Sequence, residues 1–139
     1  MRKIIFISVL TFFLNFIWEI SQAFLYMPHF VGISGLITVH LRASLGDILI
    51  IFIILMLDTL IFGPVYGKIS IQRLLAMVFV GFVLATLVEK YALSSGRWVY
   101  NPLMPIIPWL NVGLTPILQM MLIPPSIFVF YFQLKNRLD

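Results

Sequence analysis

Residues 89–119 read EKYALSSGRWVYNPLMPIIPWLNVGLTPILQ. One strongly apolar run ends inside this stretch and another begins inside it. Between them stand Glu89, Arg97, Trp98, Trp109, Tyr91, Tyr100 and the prolines Pro102, Pro105, Pro108 and Pro116. A connection that only joined two membrane segments would be short and polar. This one is long, aromatic and stiffened by proline, and at a membrane surface its backbone needs partners besides water. We read it as the lid or wall of a site, and we read the other carboxylates by their distance from it.

Working outward, four segments are long enough to cross a hydrocarbon core, which takes about 20 helical residues. They cover residues 4–25, 48–65, 71–93 and 112–132. The composition agrees: of 139 residues, 62% are hydrophobic and 10% charged. A soluble domain carries roughly 25% charged residues, so this chain has too few polar side chains to cover a water-facing surface. The mean hydropathy of +1.10 says the same. The expected fold is all-α: one transmembrane domain over residues 1–139, an integral membrane four-helix bundle with its long Pro/aromatic-rich connection between the third and fourth spans. The first span carries Asn15, Glu19 and Gln22 and lacks a small-residue cleavage site, so it is expected to stay as a span and not be removed as a signal peptide. The absence of cysteine excludes disulfides, thiolate metal ligands and cysteine nucleophiles. The net charge of +4 is spread over connections and tails, with no basic run of the kind nucleic acid requires.

Basic residues collect on the cytoplasmic side of membrane proteins. Arg2, Lys3, Lys68, Arg73, Lys135 and Arg137 fall on one side of the four-span topology; Arg42, Lys90 and Arg97 fall on the other. The bias predicts an inner (plasma) membrane protein with both termini cytoplasmic. Depth then follows from helix rise. Glu19 and Gln119 lie about 10 Å inside the outer ends of their spans, and Glu89 lies within about a turn of its own. Asp47 is expected to open the second span, with His40 and Arg42 before it on the same side. Asp58 lies deep toward the other end and is left out of the site as a separate polar contact.

In the first span Ser8, Thr11, Asn15, Glu19 and Gln22 recur at spacings of three and four, which is one helical face, with Trp18 beside it. Lipid offers such a stripe no hydrogen bonds, so it must face the bundle interior. The fourth span carries Thr115, Gln119 and Ser126 on a related face. Its Pro116 suits a first helical turn, whereas Pro124 and Pro125 are expected to kink or break the helix. Gly81 and Ala85 in the third span have the spacing of a close helix contact.

Glu19 is the first catalytic candidate, because a carboxylate near mid-membrane costs at least ~2.5 kcal/mol and needs a partner or a proton. The plainer role is a packing contact with Gln22 or Asn15. Glu89 is the second, its plainer role being an interfacial charge beside Lys90 and Arg97. His40 and Asp47, seven residues apart, could share a helical face with Ser44 between them as a proton-transfer or metal pair; Asp47 would serve equally as a helix N-cap. His29, beside Pro28, reads as structural or interfacial. Asn15, Trp18, Gln22, Arg97, Trp98, Tyr100 and Gln119 are the candidates for holding a substrate. No nucleotide loop, HExxH, GxSxG or calcium-loop motif occurs. Glu19, His40, Asp47 and Glu89 would also suit an oxygen-preferring or mixed-ligand divalent cation, the one candidate cofactor.

The pattern NFIWEISQ, then H-x6-D, then E-x6-GRWVY-x3-MP-x2-P with Gln119 beyond, resembles a family of small bacterial multi-pass membrane proteins over most of the chain. More locally, over residues 89–108, it resembles the integral-membrane carotenoid hydratases and lycopene-cyclase-type enzymes, which place a Glu before a Gly/aromatic/Tyr segment and a proline turn. The chain departs from them after that turn, with residues 115–119 where those enzymes carry paired carboxylates. The resemblance implies a lipid-soluble, isoprenoid-like substrate and isomerisation, cyclisation or hydration.

The residues and the resemblance together predict acid–base chemistry in an outer-leaflet polar pocket. Glu19 would donate the proton; Glu89, or His40 with Asp47, would accept one or face a developing cation, with the rings of Trp18, Trp98 and Tyr100 around it. The alternative is a protein that binds or transports a proton, a divalent cation or a lipid with the same carboxylates, for which four spans would call for a homo-oligomer. A second alternative is an accessory membrane subunit. The expected partner is membrane lipid or a lipid-soluble small molecule, and no nucleic acid.

Overall fold

The computed structural model describes residues 2–28, 30–65 and 68–138. Helix α1 (Arg2–Gln22) runs into a 3-10 turn (Ala23–Leu25). Helices α2 (Gly32–Phe62), α3 (Ile71–Ser94) and α4 (Leu114–Leu138) follow, with two short strands, β1 (Ile106–Ile107) and β2 (Val112–Gly113), before α4. All four helices are long and apolar enough to cross a membrane. The protein is an all-α four-helix membrane bundle. Helix direction alternates, so the α1–α2 and α3–α4 connections share one end, the loop end. The α2–α3 connection and both termini share the other.

Helix α4 packs against α3 and α1; α2 packs against α1 and α3 and reaches α4 across the middle. The core is built around α4, through Ile117, Met120, Ile123 and Ile127, with Ile51 of α2 and Ala85 of α3 against them. Helix α3 presents Arg73, Met77, Gly81, Ala85 and Glu89, a strict i+4 row, as its buried face. At Gly81 the two helices touch backbone to backbone: a Cβ there would run into the Met120 carbonyl. That carbonyl is special. Its helical donor would be the N–H of residue 124, and Pro124 has none. A glycine lets α3 close over a group the proline pair leaves unserved.

The structure corrects two element boundaries. Helix α2 begins at Gly32, not at residue 48, so Asp47 sits midway along a helix and does not open one. The polar run 40–47 is part of the helix because His40, Ser44 and Asp47 fall on one face; the Ser44 hydroxyl also donates to the His40 carbonyl at 2.7 Å. At 31 residues, about 46 Å, α2 outruns a ~30 Å hydrocarbon core. Helix α4 is also not broken at Pro124 and Pro125 but continues to Leu138. The expectation for His29 lies outside the described residues.

The long connection forms a hydrogen-bonded cap. Met27 N–H donates to the Val99 carbonyl (2.8 Å), and Asn101 N–H to the Leu25 carbonyl (2.9 Å), around an antiparallel Tyr26–Tyr100 bridge. Strands β1 and β2 pair Ile106 with Gly113 and Ile107 with Val112. Asn111 turns between them at φ 53°, a left-handed conformation that asparagine tolerates. Backbone groups near the membrane surface thus find one another.

At the termini end Arg73 is buried and paired with buried Asp58, Nε lying 2.8 Å from Oδ2. Arg73 also donates to the Gly63 carbonyl, and its guanidinium lies 5.5 Å from the ring centres of both Phe62 and Phe128. Arg73 is therefore not a free orienting charge, and Asp58 is the separate polar contact expected of it.

Candidate functional site

Beneath the cap, in the loop-end half of the bundle, lies a cavity of about 570 Å3. All four helices contribute to its wall. Glu19 comes from α1, His40 and Asp47 from α2, Glu89 from α3 and Gln119 from α4. The size falls within the usual range for small-molecule sites, about 300–1,000 Å3.

One side of the cavity is a continuous polar chain. Gln119 is its hub. Its Nε2 donates to Asp47 Oδ2 and to Asn15 Oδ1, both at 2.9 Å, and its Oε1 accepts from Gln22 Nε2 at 3.2 Å. Gln22 Nε2 also donates to Glu19 Oε1 (3.0 Å), and Glu19 Oε2 lies 3.4 Å from His40 Nδ1. Asn15 in turn donates to the Thr11 carbonyl at 2.8 Å. The polar stripe of α1 thus supplies the amides that tie Glu19 to Asp47 through Gln119. Two carboxylates and a histidine are joined through groups that both donate and accept, an arrangement suited to holding and moving a proton.

The opposite pole is Glu89, which is held differently. Trp98 Nε1 donates to its Oε2 at 3.3 Å, and the Tyr100 hydroxyl donates to the same oxygen. Tyr100 is itself fixed, accepting from the Gly113 N–H at 2.8 Å. Burial first, then the hydrogen bond to Glu89, pushes the Tyr100 phenol above its ordinary range, so it remains a donor at any physiological pH. The GRWVY segment is therefore the clamp on the Glu89 carboxylate. Tyr26 completes this pole. Its ring lies 6.2 Å from that of Trp98 and 5.6 Å from that of Tyr100, and burial followed by the charge of Glu89 raises its phenol as well.

The candidates thus sort by position. Glu19, His40, Asp47, Glu89, Arg97, Trp98 and Gln119 line the cavity. Asn15, Gln22 and Tyr100 hold lining residues from behind. Trp18 does neither: it packs against the core cluster. Arg97 forms no expected carboxylate pair among the described residues; its guanidinium lies 5.3 Å from the Tyr91 ring centre. Sequence reading missed Tyr26, Arg42 and Gly46 as lining residues. The signal for Arg42 and Gly46 was the helix start at Gly32, which carries both onto a cavity-facing helix. Among the described residues, no three His, Asp or Glu side chains converge closely enough to hold a metal ion. The four candidate ligands ring a cavity and do not meet at a point.

Comparison with protein-family models, with curated proteins and with solved structures finds no match to this chain.

Proposed function

We propose that the protein is an enzyme of the bacterial inner membrane, with both termini cytoplasmic, that performs acid–base chemistry on a lipid-soluble, isoprenoid-like substrate. The observation that carries this reading is a single cavity faced by carboxylates from three helices, each held in a different way. Orientation is supported by the basic residues at the termini end, which outnumber those at the loop end even without Arg73. The substrate class is supported by the local resemblance of residues 89–108 to membrane carotenoid enzymes and by the lipid around the site.

In this reading Glu19 transfers its proton to an olefinic carbon, forming a C–H bond and leaving a cation on the neighbouring carbon. The Glu89 carboxylate and the ring faces of Trp98 and Tyr26 stabilise that cation. Loss of an adjacent proton to Glu89 gives an isomerised or cyclised olefin; capture of water followed by loss of a proton gives a hydrated product. One proton enters and one leaves, and no electrons are exchanged. Glu89 then releases its proton to water, and His40, beside Glu19, passes a proton taken from water to Glu19 for the next turnover.

The test is deuterium uptake. Membranes containing the protein are incubated in deuterium oxide with prenyl lipids, and the lipids are then weighed by mass spectrometry. Uptake that depends on the protein and is lost in Glu19→Gln is expected. Protein-independent uptake, or equal uptake by Glu19→Gln, would remove the mechanism and leave a binding role for the same groups.

A further inference from the structure

The cavity wall is closed on some sides and open on one. His40, Ala85, Glu89 and Gln119 are buried, whereas Arg42, Gly46, Val88 and Arg97 line the same cavity and are exposed. The exposed four belong to α2 and to α3 with the turn after it. The cavity therefore opens sideways, between those two helices. Gly46 lies about 24 Å along the helix from the termini end of α2, and Val88 about 26 Å from that of α3, so they stand at one height inside a ~30 Å hydrocarbon core. Arg42 is one turn nearer the loop end, and Arg97 lies just past the end of α3.

Gly46 is the informative residue. A glycine inside a helix is about 1 kcal/mol less favourable than alanine, and Gly81 shows the usual compensation, a close backbone contact. Gly46 has no such contact: a Cβ built there meets nothing within 4 Å. Its missing side chain widens the opening and serves no packing.

We propose that an amphiphile with one hydrocarbon chain and an anionic headgroup enters from the lipid through this gap. Arg42 and Arg97 hold the headgroup at the rim, and the chain passes Gly46 into the cavity. Two arginines, Arg42 and Arg97, are among the exposed lining residues, while the carboxylates Glu19, Asp47 and Glu89 of the same lining are more buried. An anion is attracted at the first position and repelled at the second, so the ligand can enter only chain first. The chain is then the part presented to the carboxylates. This rests on the site reading given above and adds the entry route and the polar end of the substrate.

The test uses the full chain in phosphatidylcholine nanodiscs, with a prenyl phosphate carrying a diazirine near its chain end and the matching prenyl alcohol. Illumination should label cavity residues of the wild-type protein. Gly46→Leu and Gly46→Trp should lower labelling at least about tenfold at an unchanged melting temperature. Leu60→Trp, on a lipid-exposed part of α2 near the termini end, should not. Arg42→Gln with Arg97→Gln should weaken the phosphate probe about tenfold and spare the alcohol. Wild-type labelling in both Gly46 variants, or equal losses for the two probes, would overturn the proposal. Cavity labelling without deuterium uptake would remove the chemistry and leave the route; deuterium uptake untouched by Gly46→Trp would do the reverse.

Discussion

The bundle buries charge at both ends, and the two ends handle it in opposite ways. At the termini end one carboxylate, Asp58, meets one guanidinium, Arg73, whose Nη2 also donates to the Gly63 carbonyl and which lies against two phenylalanine rings. At the loop end Glu19, Asp47 and Glu89 surround a cavity, supported by amides, a histidine, an indole and a phenol. Amides, an imidazole, an indole and a phenol there take the place that a single guanidinium holds at the other end. A closed ion pair locks two helices together and offers nothing to a ligand. A ring of acids around a space is left with capacity to spare, and the proposed site rests on that surplus.

The largest expected effect breaks the closed end. Arg73→Leu would leave Asp58 buried without its cation, which costs about 3–5 kcal/mol. Unfolding in detergent should show the loss, and Asp58→Leu combined with Arg73→Leu should restore most of it. A double variant as unstable as Arg73→Leu alone would mean the pair is not the lock between α2 and α3. Gly81→Ala comes next, at about 3 kcal/mol, the upper end for overpacking. The neighbour there is the Met120 backbone, which cannot swing aside as a side chain would. The same unfolding measurement reads it.

The difference between the ends also explains what the sequence could reveal. Four spans were legible because apolar length is written directly in the residues. The polar face of α1 was legible because lipid leaves a stripe such as Asn15, Glu19 and Gln22 nowhere to go but inward. The start of α2 was not. His40, Arg42 and Asp47 interrupt the apolar run, so the span reads as starting after them until a cavity exists for them to face, and that cavity is made by helices distant in sequence. The continuity of α4 through Pro124 and Pro125 was hidden for the same reason: the backbone that packs against the Met120 carbonyl is that of Gly81, on another helix. The pairing of Arg73 with Asp58 runs across a helix connection, so Arg73 counted in sequence as a free positive charge.

Tyr100→Phe sharpens the comparison at its open end. It removes one donor from Glu89 and strands the Gly113 N–H, together about 2 kcal/mol. The effect should appear as lower melting temperature and as loss of the cap: faster hydrogen exchange at Gly113 and at Asn101. A stable Tyr100→Phe with an unchanged cap would make the phenol a bystander, and Glu89 would then rest on Trp98 alone.

The smallest effect on stability should come from the residue with the greatest effect on turnover. In Glu19→Gln the carboxamide can still accept from Gln22 and can donate toward His40, so the polar chain stays closed. Glu19 also borders the cavity, where a small rearrangement meets space and not packed atoms. The change in unfolding free energy should fall within about 0.5 kcal/mol, while deuterium uptake disappears because an amide N–H is far too weak an acid to protonate an olefin. Arg73→Leu should instead lose fold and turnover together. If Glu19→Gln unfolded the protein as Arg73→Leu does, Glu19 would be a structural partner like Asp58, and the two ends of the bundle would differ only in which helices they fasten.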